Sequence, residues 1–283
     1  MKRVFYITVL GSAIVAIGVS ALVYFAGLKA EYRKSVTELL GQNPPSREIL
    51  KESDIRNLPA PVKKYLIYTG SLNREILSSV HLTLETQVRN ESSGAWLSSH
   101  SEQYDFFQTP ARFNYMSTFM NSLPVSVLHS LSGISASVRV KIFSLITVVE
   151  AAGPELNTTE RVALLRDLCY FAPSALVRDA KWEALGPVSA KVIYTSGGIR
   201  VSGNLYFNSE GQLVNFVSED RFYLMPDRTL KRQRWSSPMK EYREFSGRRT
   251  ATSGESIWNL KEGDFSYEKF NIKSIDYNAA EFK

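Results

Sequence analysis

The sequence predicts a mainly β, α+β protein: a curved antiparallel sheet or half-barrel with a helix packed on it, preceded by one transmembrane helix. Three observations lead there. The first residues form a long uncharged apolar run, Val4–Leu28. From Ser79 onward hydrophobic residues recur with a period of two, the mark of half-buried strands. One stretch, Thr159–Phe171, breaks that rhythm with helical spacing.

The apolar run exceeds the roughly 20 residues that cross a bilayer as a helix, and the roughly 7–15 of a cleavable signal. Tyr6, Tyr24 and Phe25 lie near its ends, where amphipathic rings favour the interface. Lys2 and Arg3 precede the run, whereas Lys29, Arg33 and Lys34 follow it, so the positive charges nearly balance. The short leading segment places the N-terminus inside and the domain outside the cytoplasm. The chain accordingly divides into an anchor (1–28), a helical linker (29–57) and a mainly β domain (58–283).

Within the linker, Ala30–Leu40 reads as a polar helix ended by Gly41 and the Pro44-Pro45 pair, and Ser46–Glu52 as a second helix. Leu58–Thr69 is a short helix with Val62, Tyr65 and Leu66 on one face. In the first strand Val80, Leu82, Leu84 and Val88 alternate with His81, Thr83, Glu85, Gln87 and Arg89. Further strands are expected at 96–107, 111–119, 137–149, 188–195, 199–208, 212–223, 231–235, 240–245, 255–260 and 267–277. Asn208–Gly211 and Ser196–Gly198 are hairpin turns, and such short connections imply a meander. The interrupting helix is expected to begin at an Asn157-x-x-Glu160 cap pair, and Pro173 stops it.

Several stretches carry a resemblance. They are Arg166-Asp167-Leu168-Cys169-Tyr170-Phe171-Ala172-Pro173-Ser174-Ala175-Leu176-Val177, Leu58-Pro59-Ala60-Pro61-Val62, Gly198-Ile199 to Phe207-Asn208, Phe216 to Asp220-Arg221, and Gly263-Asp264-Phe265-Ser266-Tyr267. Together they resemble a bacterial family known as a domain of unknown function, number 6544, related to number 6920. Arg166 and Leu168 stand where that family has Asn and Met. The resemblance covers about Leu58 to Tyr277. It implies a domain boundary and brings no activity or catalytic residue.

Composition narrows the function classes. The 34 basic and 28 acidic residues leave a net charge of +6, spread along the chain. Its densest cluster, Arg228, Lys231, Arg232 and Arg234, reads as a solvated hairpin, and no nucleic-acid partner is expected. One cysteine, Cys169, rules out an internal disulfide; it falls on the helix's apolar face and reads as a buried thiol. There is no phosphate-binding loop, nucleophile elbow or zinc-protease motif, and no cofactor is implied. His81, His100 and His129 are far apart; His81 and His100 facing each other across a hairpin would still make a poor zinc site.

The candidate ligand-facing residues are Asp167 and Arg221, with Tyr104, Tyr223 and Trp182 from the aromatic complement. Asp167 is expected to bond Arg221 or a strand tyrosine across the core. A tethered, aromatic-lined curved sheet is, by analogy with lipoprotein-carrier half-barrels, a holder for a lipid-like ligand between sheet and helix. The alternatives are an enzyme using Asp167 with Arg221 and Tyr104 or Tyr223 on a membrane-derived substrate, and a scaffold that meets proteins through its sheet edges.

Overall fold

The computed structural model describes residues 27–225 and 227–283. Among these no helix is long and apolar enough to cross a membrane, and all but the last two residues of Val4–Leu28 lie outside them. Helix α1 (Leu28–Gln42) comes first, followed by α2 (Ala60–Tyr68). Six strands then meander: β1 (Ser79–Val88), β2 (Leu97–Phe106), β3 (Ala111–Met120), β4 (Leu123–Ser132), β5 (Ser135–Ile142) and β6 (Ile146–Ala152). The long helix α3 (Pro154–Phe171) and the single turn α4 (Leu176–Asp179) separate these from β7 (Ala180–Gly186), β8 (Ser189–Ser196), β9 (Ile199–Phe207) and β10 (Leu213–Ser218). A small exposed hairpin, β11 (Phe222–Leu224) and β12 (Leu230–Arg232), precedes β13 (Trp235–Phe245), β14 (Arg248–Leu260) and β15 (Gly263–Tyr277).

Thirteen strands join one antiparallel sheet in the order β6-β5-β4-β3-β2-β1-β15-β14-β13-β10-β9-β8-β7. Its curvature is visible in one side chain. Arg161 of α3 donates from Nε to the carbonyl of Ser196 at the end of β8 (3.0 Å) and from a terminal nitrogen to that of Gly133 in the β4–β5 turn (2.6 Å). Those carbonyls belong to opposite wings of the sheet, so the sheet wraps around α3. The wings meet closely at Gly197 (φ +54°), where a Cβ would lie 2.6 Å from the Arg161 guanidinium and 3.0 Å from the Gly133 oxygen.

The sequence explains why α3 sits inside. Gly153 and Pro154 start it, as suits a residue whose N–H is unsatisfied anyway. Leu164, Leu165 and Leu168 are buried in the main core, which also takes in Val80, Leu82 and Leu84 of β1. Fully burying each such side chain contributes about 1.5–3 kcal/mol. At the other end the carbonyls of Cys169 and Tyr170 accept from Tyr65 Oη (2.9 Å) and Thr250 Oγ1 (2.9 Å). Pro173 then forbids another turn.

Helix α1, expected within a linker, lies on the opposite face of the sheet. Leu28, Tyr32, Val36, Leu39 and Leu40 form a buried stripe against Tyr104, Phe106, Phe113 and Leu128. Asn43 ends the helix: its Nδ2 donates to the Leu39 carbonyl (2.9 Å) and its Oδ1 accepts from the Thr109 N–H (2.8 Å).

Four sequence expectations are corrected. Ser46–Glu52 is not a helix, because the backbone of residues 48–50 bonds Asn73, Arg74 and Ile76, leaving only a 3-10 turn at Glu52–Ile55. Asn157 does not cap α3; it lies within the helix and its side chain accepts from the Ala136 N–H (2.7 Å). The single strand expected over 137–149 is two, β5 and β6, folded at Phe143-Ser144. His81 and His100 are not opposite each other: His81 pairs with Tyr104, and His100 with Glu85.

Candidate functional site

On β2 and β3 the pairs Asp105–Arg112 and Gln103–Asn114 stand directly opposite. All four side chains are buried under α3, which adds Glu160 and Asp167 from one face two turns apart. Arg112 joins the set. Its Nε donates to Asp167 Oδ2 (2.9 Å), and its terminal nitrogens donate to Glu160 Oε2 (3.1 Å) and Gln103 Oε1 (2.8 Å). Gln103 Nε2 donates to Asp167 Oδ2 (3.0 Å) and Asp105 Oδ2 (2.9 Å), while Asn114 Nδ2 donates to Gln103 Oε1 (2.9 Å). Arg166 Nε lies 2.8 Å from Asp167 Oδ1, yet neither atom completes an aligned hydrogen bond there. His129 Nδ1 meets Glu160 Oε1 at 3.0 Å and is the one member with a substantial exposed surface.

Electrostatics divides the carboxyls. Burial opposes ionisation of Glu160, but His129 and Arg112 outweigh it and hold the group down at about 2. Asp105 goes the other way: burial first, then the charge of Asp167, push it well above the usual carboxylate range. Arg112 serves Asp167 and Glu160 directly, whereas Asp105 has only the Gln103 amide, so Asp105 is the protonated partner. Arg112 ties Asp167 and Glu160 to the sheet, while Asp105 Oδ1, Asp167 Oδ1 and Arg166 Nε are buried without a hydrogen-bond partner. Asp167 is fully buried with both Arg112 and Gln103 on one oxygen.

Of the five residues expected to face a ligand, only Arg221 and Tyr223 come together, both against Trp258. Asp167 bonds Arg112 rather than Arg221 or a tyrosine. Arg221 stacks on Trp235 (4.4 Å) and Trp258 (5.3 Å) and donates to Tyr267 Oη (3.1 Å). Tyr223 joins that aromatic group through Trp258, with ring centroids 5.1 Å apart. Tyr104 occupies the other sheet face, stacked on His81 (4.3 Å) and Phe282 (5.8 Å). Trp182, on the edge strand β7, donates to the Leu176 carbonyl (3.4 Å). Cys169 is buried, and burial followed by the charge of Asp167 pushes its thiol up, which suits an inert group.

A recess of about 860 Å³ opens beside α1 instead. Lys29, Arg33, Lys34, Thr37 and Glu38 line it from the helix, opposite Tyr115, Ser144 and Phe282. Its walls are mostly apolar although three cationic residues line it. Arg33 covers the Phe282 ring at 5.2 Å. Two smaller recesses, about 490 and 270 Å³, are more polar.

The sequence profile of the Family of unknown function (DUF6544) matches residues 48–270. The chain belongs to that family. The matched stretch holds α2, α3 and the sheet up to the middle of β15; α1 and the lysines of its recess precede it. No curated protein matches the chain. Among solved structures, a DUF1329 family protein from Desulfovibrio piger aligns over 77% of this chain and 92% of its own, at 8% identity and a TM-score of 0.41. A candidate outer membrane lipoprotein-sorting protein domain from Vibrio parahaemolyticus aligns over 71% and 85%, at 9% identity and a TM-score of 0.39. A LolA superfamily protein from Nitrosomonas europaea aligns over 77% and 91%, at 10% identity and a TM-score of 0.35.

Proposed function

We propose that this is a membrane-anchored, extracytoplasmic binding domain for a hydrophobic or lipid-like ligand, with the apolar run from Val4, ended before Leu28 because Leu28 packs on the sheet, as the spanning helix and the recess beside α1 as the binding site. The chemistry of that recess carries the reading. Its volume lies within the roughly 300–1,000 Å³ usual for ligand pockets. Apolar walls suit a chain, and Lys29, Arg33 and Lys34 against the single acid Glu38 suit an anionic head. The recess begins where the apolar run ends, next to a supply of lipid.

This relocates the ligand from the space between sheet and α3. That interior is occupied by packed apolar side chains and by the buried polar set around Arg112. The same burial disfavours a catalytic Asp167, which has no solvent beside it.

Native mass spectrometry of full-length protein extracted in detergent tests the proposal. A co-purifying lipid-sized adduct is expected, and it should be lost when Lys29, Arg33 and Lys34 are all changed to Glu. Protein free of adduct, or an adduct indifferent to that reversal, would sink it. The topology is tested separately by a reporter fused after Lys283, which should be active only outside the cytoplasm.

A further inference from the structure

Two neighbouring hairpin tips are apolar where solvent-facing turns are ordinarily polar. β3 and β4 reverse at Asn121-Ser122 with Met120 opposite Leu123; β5 and β6 reverse at 143–145 with Ile142 opposite Ile146. The four strands are consecutive and antiparallel, so both tips fall at one end of the sheet. Phe119 (69% exposed), Ile146 (60%) and Phe143 (48%) stand in the open there, beside exposed Met120, Leu123 and Leu145. Lone exposed apolar residues are common on protein surfaces, but six on adjacent tips form the kind of patch that marks a membrane or a partner.

Phe143 adds an independent observation. It holds φ +53°, a left-handed conformation that Asn or Gly adopts most easily and that a bulky side chain resists. The turn needs a left-handed residue, and that geometry does not by itself call for a ring. At 48% exposure the ring stands where it can meet a surface outside the fold.

The direction of α1 identifies what that is. Asn43, just past its end, bonds Thr109 in the β2–β3 turn, and Tyr32, near its start, lies on Tyr115 further along β3 (5.7 Å). The helix therefore begins on the side of the tips, and Gly27 shares its recess with Ser144 of the second tip. The uncharged run Val4–Gly27 joins the domain at this end, with Lys29, Arg33 and Lys34 exposed behind it. Apolar tips backed by cations match a bilayer with anionic headgroups.

We propose that the β3–β4 and β5–β6 tips insert Phe119, Met120, Leu123, Phe143, Leu145 and Ile146 into the bilayer as a second membrane contact. It rests on the anchored reading above and adds an orientation: the end of the sheet that carries these two tips faces the membrane.

Full-length protein in vesicles of phosphatidylethanolamine and phosphatidylglycerol tests the contact. Phe119→Cys, Ile146→Cys and, as control, Leu185→Cys each receive an environment-sensitive fluorophore. All three positions are exposed, and Leu185 ends the β7 strand at the other edge of the sheet. Nitroxide-bearing lipids should quench the labels at 119 and 146 by about twofold or more and spare 185, with aqueous iodide doing the reverse. Protein that floats with the vesicles while 119 and 146 remain open to iodide would overturn the tip contact and leave the anchor standing. Labels shielded from both quenchers would show a second protein surface over the tips, and would overturn it too. Protein that fails to float removes the anchor and the tip contact together.

Discussion

Glu160 is the group through which the buried polar set should be felt in solution. Its carboxyl falls from an ordinary 4.5 to about 2 in the folded protein, because His129 and Arg112 outweigh burial. By linkage, a shift of that size corresponds to about 3 kcal/mol of stability. The folded pKa is depressed, so this contribution is complete above 4.5 and drains away as pH falls through about 2. Urea unfolding of detergent-solubilised full-length protein, followed by the fluorescence of buried Trp235 and Trp258, measures it across the acid range. The wild-type protein should lose about 3 kcal/mol more than Glu160→Gln between pH 5 and pH 2, since the amide has no proton to take up. Exposed acids with lowered pKa values, such as Asp54 and Asp227, are common to both proteins and cancel in the difference. At neutral pH the Gln variant should be less stable by about 1–3 kcal/mol, because Arg112 and His129 lose a charged acceptor. Parallel stability curves for the two proteins would refute the assignment of Glu160 as an ionised, paired carboxylate.

Asp105 carries the opposite sign. Its raised pKa contributes stability below the unfolded value of about 4 that is lost as pH rises. Asp105→Asn should therefore be more stable than wild type at pH 7 and lose that advantage near pH 3, and a pH-independent difference would contradict this. Arg161→Ala removes two charged hydrogen bonds that join the wings of the sheet and should cost about 3 kcal/mol. Faster amide exchange in β5 and β8 is the accompanying signature; unaltered exchange there would count against the clasp. Phe143→Asn should raise the melting temperature, gaining about 1 kcal/mol from a residue suited to left-handed backbone. A lower melting temperature would mean that the ring packs within the chain.

The strands that alternate cleanly were legible from the sequence. β1, β3 and β9 fall within a residue of their expected limits, because each has one face on the core and one toward water or α1. β6 was not legible as a separate strand, since every one of its residues is exposed and no face is marked by hydrophobicity. The turn before it carries Phe143-Ser144 instead of a Gly- or Asn-containing pair, so the usual punctuation is missing. Asp167 was legible as a polar group reaching across the core, but its partner Arg112 was not, because a charged residue in a strand ordinarily reads as outward-facing. A signal was present: Ser101, Gln103 and Asp105 share one face of β2, and a run of polar residues on the face beneath a helix has to be answered by polar groups on that helix. Tyr104 was assigned to the ligand-facing side of the sheet because α1 was expected to stand apart, whereas α1 covers the face that holds Tyr104.

The pairing of β1 with β15 has a kinetic consequence. The first strand of the sheet lies between β2 and the last strand, with Val80 opposite Tyr277. Its hydrogen-bonding edge on that side stays open until the C-terminal strand arrives, so the seam between the two wings is closed by the longest-range contact in the sheet. Such pairing folds slowly, because the entropy of closing so large a loop is lost before any contact rewards it. A chain cut just before Gly263 would lose the strand that couples the two wings, and not a dispensable edge. Degradation from the C-terminus should therefore abolish the whole domain at once rather than trim it.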